Sequence, residues 1–162
     1  LYTACAAVVL ATVAWAFFGT YSLALGVTWG LAGVGTRMLS VVWIYRVFSD
    51  VPEMLRAKGT KVTPARAIFY FAIPVFNLLW LFGVHGALAN AVEAELAHTG
   101  RRTALPRHHA YGAMGLVLLS SIVFATGSED EARLLAAFLE AGGTILFAVW
   151  MREVERARAK EA

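Results

Sequence analysis

The stretch "IFYFAIPVFNLLWLFGVHGALAN", residues 68 to 90, is apolar enough to enter a lipid bilayer, yet Pro74, Asn77, His85 and Asn90 lie inside it or at its end. Whether it crosses a membrane or enters and returns decides the fold, because every later segment changes side with it. The flanks supply the test, since cytoplasmic loops hold the excess of Lys and Arg. Before the stretch stand Arg46, Arg56, Lys58, Lys61 and Arg66; after it come Arg101, Arg102 and Arg107. The turn "GSEDEAR", residues 127 to 133, is mainly acidic, and the tail holds Arg152, Arg156, Arg158 and Lys160. A full crossing would put the two basic connections in opposite compartments and leave the basic tail outside, violating the rule twice. A segment that goes in and comes back, or lies in the interface, puts all three basic regions in the cytoplasm. The pattern therefore predicts a broken or re-entrant segment over residues 65 to 90, with Pro74 to Asn77 as the break; a proline-kinked fifth span is the alternative. Irregular backbone at membrane depth has to be buried in protein or line water, because lipid cannot satisfy freed amide groups. The segment is thus expected inside a helix bundle, with Asn77 as one hydrogen-bonding partner.

Composition points the same way. Of 162 residues, 59% are hydrophobic and 15% charged, whereas an average soluble domain carries about 25% charged residues. Mean hydropathy is +0.65. These values predict an all-α integral membrane protein, and the short loops leave no room for a separate soluble domain, so residues 1 to 162 are read as one polytopic domain. A formal charge of +3 and a pI near 9.3 would suit nucleic acid, but the basic residues sit beside apolar spans, and no nucleic-acid partner is expected. Cys5 is the single cysteine, which excludes an intrachain disulfide. The chain opens at Leu1 without a methionine, and residues before it are expected. Its first apolar run is read as a span, because it lacks the small-residue cleavage pattern of a signal peptide and passes directly into a second span.

Four transmembrane helices are expected besides the broken segment. No charge occurs from Leu1 to Thr36, which is too long for one span of about 20 residues; a division near Tyr21 to Leu25 gives spans over residues 1 to 20 and 26 to 45. The second holds Gly26, Gly30 and Gly33, small residues at a spacing that lets helix backbones approach in lipid. In the polar connection that follows, Asp50 and Glu53 form a capping-box-like start and Gly59 a stop, predicting a short interfacial helix. Thr63 and Pro64 read as the N-cap and first position of the next helix. Pro106 opens a span over residues 107 to 126. Ser128 and Glu131 make a second capping signal before a span over 132 to 151, which runs on into a basic cytoplasmic helix over 152 to 162. Trp43 with Arg46, and Trp150 with Arg152, are expected to anchor the cytoplasmic interface. Residues 33 to 46, "GVGTRMLSVVWIYR", also resemble 142 to 152, "GGTILFAVWMR", if short gaps are allowed, which hints at a parallel two-helix repeat.

Charges inside lipid are the most informative features, because a central one costs about 2.5 to 3.5 kcal/mol even on insertion scales. Arg37 falls halfway along the second span and Glu140 halfway along the last. Opposite signs at similar depth predict an ion pair that fixes helix register; proton or ion conduction and contact with a partner subunit are the alternatives. His85, between Gly83 and Gly86, would serve as a structural residue or a proton relay, and it lacks a matched second ligand for haem or metal. Glu95 and His98 make one E-x-x-H, whereas a helical di-metal site needs a second such motif and more carboxylates. No G-x-S-x-G, phosphate-loop, H-E-x-x-H or paired C-x-x-C motif occurs. No metal, cofactor or catalytic residue is expected, and the chain is read as not an enzyme.

Trp43-Ile44-Tyr45-Arg46, then Thr63-Pro64 and Ile73-Pro74-Val75-Phe76-Asn77-Leu78, resemble the pattern of a bacterial membrane family catalogued as domain of unknown function 4328. The resemblance covers residues 40 to 90; the family's following asparagine and second proline are absent, with Ser49, Asp50 and Leu81 standing nearby. It implies an α-helical membrane fold and no known activity. The expected role is a non-catalytic small subunit in a bacterial inner membrane, with its C-terminus cytoplasmic. It would pack against lipid and other transmembrane helices, in a homo-oligomer or a larger complex. The alternative is a homo-oligomeric channel or small transporter using Arg37, Asn77, His85 and Glu140.

Overall fold

The structure, a computed structural model, describes residues 6–7, 9–10, 23–69, 74–101, 103–127 and 130–159. Its elements are α1 (Leu23–Asp50), α2 (Glu53–Gly59), α3 (Pro64–Phe69), α4 (Pro74–His98), α5 (Arg107–Thr126) and α6 (Asp130–Ala159). No strand occurs among the described residues, so the chain is all-helical. The number of crossings differs from expectation. Among the described residues two helices, Arg107–Thr126 and Glu131–Ala159, are long and apolar enough to cross a membrane, and four transmembrane helices are not supported. The expected span 26 to 45 lies within α1. The expected span 1 to 20 lies almost wholly outside the described residues.

Local chemistry sets the helix ends. α1 stops at Asp50 because Pro52 disfavours helical geometry at Val51. The Pro52 carbonyl then accepts from Leu55 N at 3.0 Å and Arg56 N at 2.9 Å, opening α2. This corrects the expected capping box: Asp50 closes α1, and Pro52 is the N-cap of α2 with no side-chain bond. Thr63 does cap α3, its Oγ1 accepting from Arg66 N at 3.3 Å. The expected break over Pro74 to Asn77 is also corrected. Pro74 is the first residue of α4 and Asn77 lies in its first turn, where a missing proline N–H removes no helical hydrogen bond. Residues 70–73 and the side chain of Asn77 lie outside the described residues. At its other end α4 closes on Gly100, whose φ of 81° only glycine adopts freely. Gly100 N donates to Ala97 O at 3.2 Å and Arg101 N to Leu96 O at 2.9 Å, the two bonds of a Schellman cap.

The chain falls into two compact units, residues 1–40 with 112–148 and residues 41–111 with 149–162. In the second unit α4 is the core. Val84, Leu88, Val92 and Leu96 are fully buried there, and Ala87, Ala89 and Ala91 bury the intervening faces. A helix enclosed on nearly all sides must be apolar nearly all round, as this one is. Ile44 and Phe48 from α1, Val51 just after it, and Trp150, Met151 and Val154 from α6 complete the interior.

Polar ties orient these helices. Arg158 of α6 reaches both Glu95 near the end of α4, at 3.1 Å, and Asp50 at the end of α1, at 3.5 Å. Arg107 at the start of α5 pairs with Glu93. Three C-terminal ends and one N-terminal start therefore meet. Against α4, Gly59 sits on the backbone of Asn90, whereas Trp80 Nε1 donates to Ala67 O at 3.1 Å. The chain thus runs back along α4 through α2 and α3, then returns as α4 to the level it left. Residues 74 to 90 of the opening stretch are thus one continuous part of α4.

In the first unit α5 and α6 form an antiparallel hairpin. Ser120 Oγ donates to Ala136 O at 2.8 Å. A Cβ on Gly143 would stand 3.0 Å from Ala113 O and 2.9 Å from Val117 Cγ2, so the close backbone approach requires glycine there.

Gly59 provides a local test of the α2–α4 seam, because a Cβ at this position would collide with the Asn90 carbonyl while one on Gly35 meets nothing within 4 Å. Gly59→Ala should cost about 1 to 3 kcal/mol, the usual range for overpacking. Thermal unfolding of the purified protein should show a clear drop in midpoint for this variant and almost none for Gly35→Ala.

Candidate functional site

Arg37 and Glu140 come together in the first unit, with Arg37 Nη2 3.5 Å from Glu140 Oε1. The pair is lopsided: the Glu140 side chain is 12% exposed and that of Arg37 is 66% exposed. α6 carries the carboxylate one residue before Ala141 and the Gly142–Gly143 pair that lets α5 approach, so Glu140 is enclosed by tight helix packing. The guanidinium instead extends from α1 to the unit's surface. A buried carboxylate held by a cation that still has donors to offer can fix helix register and can also receive a polar group from outside.

The other expected site residues are placed differently. His85 lies on α4 in the second unit, 2% exposed. Gly26, Gly30 and Gly33 are helical in α1, and their surroundings lie outside the described residues. Trp43 and Trp150 do not form an outward-facing belt, which corrects their reading as interface anchors. Trp150 is fully buried; Trp43 is buried with its Nε1 donating to Glu155 Oε1 at 3.1 Å. Their large apolar rings supply interior volume to the second unit, and only Arg46 and Arg152 of the expected anchors are exposed.

Sequence reasoning missed the polar clasp at the helix ends. Arg158 Nη2 also approaches Glu95 Oε1 at 3.4 Å, making a two-pronged contact, and Glu93 Oε1 accepts from Leu105 N at 2.9 Å. The side chains are largely enclosed, 24% exposed for Glu93 and 12% for Glu95. Nothing in local spacing pairs residue 95 with residue 158. Among the described residues no group of three or more His, Cys, Asp or Glu is placed to hold a metal ion.

No family model, curated protein or solved structure matches the chain, and its functional reading stands on its own residues.

The lopsided pair makes an asymmetric mutational signature. Arg37→Leu strands an enclosed carboxylate and should cost about 1 to 3 kcal/mol, the penalty for an unsatisfied buried polar group. Arg37→Leu combined with Glu140→Leu removes both charges and should restore much of that loss. Unfolding midpoints for the two single variants and the double variant measure the coupling.

Proposed function

We propose that the chain is a non-catalytic, small integral membrane subunit that packs against other transmembrane helices and stabilises or regulates their assembly. The observation that carries this reading is the outer face of α1. In the first unit Val27, Leu31, Val34 and Met38 recur every three or four residues and are 53 to 69% exposed. A helical stripe of this kind faces one direction over about three turns. Gly35 leaves an open notch beside it. In lipid, notches of this type let a second helix backbone approach, and the outward Arg37 gives that helix a polar contact. Nothing in the reading needs a cofactor, and the partners it implies are lipids and transmembrane helices.

Contrasting exposures support a membrane placement. In the first unit Leu119, Ile122 and Phe124 of α5 and Leu135, Phe138 and Ile145 of α6 are about half exposed, as suits helices surrounded by acyl chains. α5 and α6 then cross the bilayer of a bacterial inner membrane. The basic residues and the helix ends tied by Arg158 lie on the cytoplasmic side, and residues 65 to 90 are re-entrant. In a Cys5→Ser background, Lys61→Cys and Thr103→Cys should both react with impermeant maleimide only in inside-out vesicles, and Ser128→Cys only in right-side-out ones. Labelling of residues 61 and 103 from opposite sides would show a full crossing and remove the re-entrant placement.

The subunit role is tested by gentle-detergent purification from native membranes followed by mass spectrometry. A stoichiometric membrane protein should accompany the wild-type chain and be lost from Gly35→Trp, whose thermal midpoint should stay near wild type. A lone monomer would overturn the role. A homo-oligomer without other proteins would favour the second reading, ion or proton conduction, which the enclosed Glu140 supports and in which Glu140→Gln abolishes vesicle flux.

A further inference from the structure

The connection between α1 and α4 carries a surface that neither the ion pair nor the α1 face explains. Met54 on α2 is 80% exposed and Phe69 on α3 is 66% exposed. Each shares its helix face with an exposed basic residue, Lys58 four positions after Met54 and Arg66 three positions before Phe69. Lys61 is exposed between the two helices. Among the described residues none of Lys58, Lys61 and Arg66 has an ion-pair partner. Arg56, by contrast, is turned inward and donates from Nη1 to Phe48 O at 3.1 Å.

We infer that α2 and α3 form a strap that lies on an anionic phospholipid surface. Met54 and Phe69 enter the acyl boundary, and Lys58, Lys61 and Arg66 meet the headgroups. Helices of six and seven residues have no independent stability, so their orientation comes from α4. Gly59 on Asn90 and Ala67 on Trp80 fix the inner sides, leaving the apolar and basic residues on the outer ones. Exposed large apolar side chains beside unpaired cations are the composition of interfacial helices, and each basic residue near an anionic leaflet contributes about 1 kcal/mol. The charge selects lipid phosphate as the occupant. This inference rests on the membrane placement proposed above.

The test uses an environment-sensitive nitrobenzoxadiazole label on Met54→Cys, Phe69→Cys and Ile122→Cys, each made in the Cys5→Ser chain. The variants are reconstituted into vesicles of phosphatidylcholine alone or with phosphatidylglycerol replacing about one-third of it. Lipid-borne spin labels should quench residues 54 and 69 strongly in the anionic vesicles and weakly in the neutral ones. Combined Lys58→Glu, Lys61→Glu and Arg66→Glu should lower the lipid-quenched to water-quenched ratio at residue 69 at least fivefold, the change equivalent to about 1 kcal/mol. Probes at 54 and 69 that stay open to aqueous iodide in both vesicles would overturn the strap. So would equal quenching in neutral and anionic lipid, or shielding from both quenchers, which would place a protein over the surface. Residue 122 separates the two levels of the argument. If it is quenched by lipid while 54 and 69 are not, only the strap fails; if it is not, the membrane placement fails as well.

Discussion

The enclosure of α4 is the constraint on which the second unit depends. From Val84 to Leu96 most of its apolar residues give almost no surface to solvent, so other elements must cover them on all but the partly open face of Gly86, Asn90, Glu93 and Ala94. That requirement explains the course of residues 51 to 69. A direct crossover from α1 to α4 would leave one face of α4 bare. A chain that runs back along the helix covers it, provided that Gly59 lets α2 come down onto the Asn90 backbone and Trp80 gives α3 a hydrogen bond to lean on. Arg158 then ties the ends of α1 and α4 to α6, with both carboxylates reaching one guanidinium.

The two units solve opposite solvent problems. The second hides large apolar side chains, including Trp150 and Phe48, and satisfies its helix ends with capping and ion pairs. The first closes α5 on α6 through small residues and leaves Phe124, Phe138 and Ile122 outward. Hydrophobic burial can stabilise the second unit in water. For helices in lipid that driving force is absent, because acyl chains are as apolar as leucine, and close packing around glycine and serine takes its place. The contrast is the physical ground for the proposed membrane placement.

Much of the helical outline was legible because proline and glycine act locally. Pro64, Pro106 and Gly59 mark ends that the structure keeps within a residue or two. The start of α4 was misplaced for the same kind of reason. Proline reads both as a helix breaker and as a first helical residue, and only the helix following Pro74 decides between them. Trp43 and Trp150 were misread because tryptophan beside arginine suits a lipid interface, yet a wide indole ring fills a core equally well. The juxtaposition of Arg37 and Glu140 was suggested by their similar depth; their unequal exposure could not be. The clasp around Arg158 was invisible, since pairing across 63 and 108 residues leaves no mark on local spacing.

The unequal exposure of the Arg37–Glu140 pair bears on the partner proposed for α1. A pair closed on both sides would be self-sufficient, and replacing it with apolar residues would cost little. Here the carboxylate is closed and the guanidinium open. A guanidinium carries five N–H donors, and one carboxylate engages at most a few of them. In water the remainder would be hydrated, which makes the open side inexpensive. At the centre of a bilayer the same donors need acceptors, and an isolated charge there costs about 2.5 to 3.5 kcal/mol or more. The acceptors can come from water in a polar path or from the side chains and carbonyls of another helix. The apolar stripe and open Gly35 notch on the same helix favour the second source. They offer a helix-sized seat next to the open donors, whereas a water-filled path would be expected to continue the polarity that the stripe lacks.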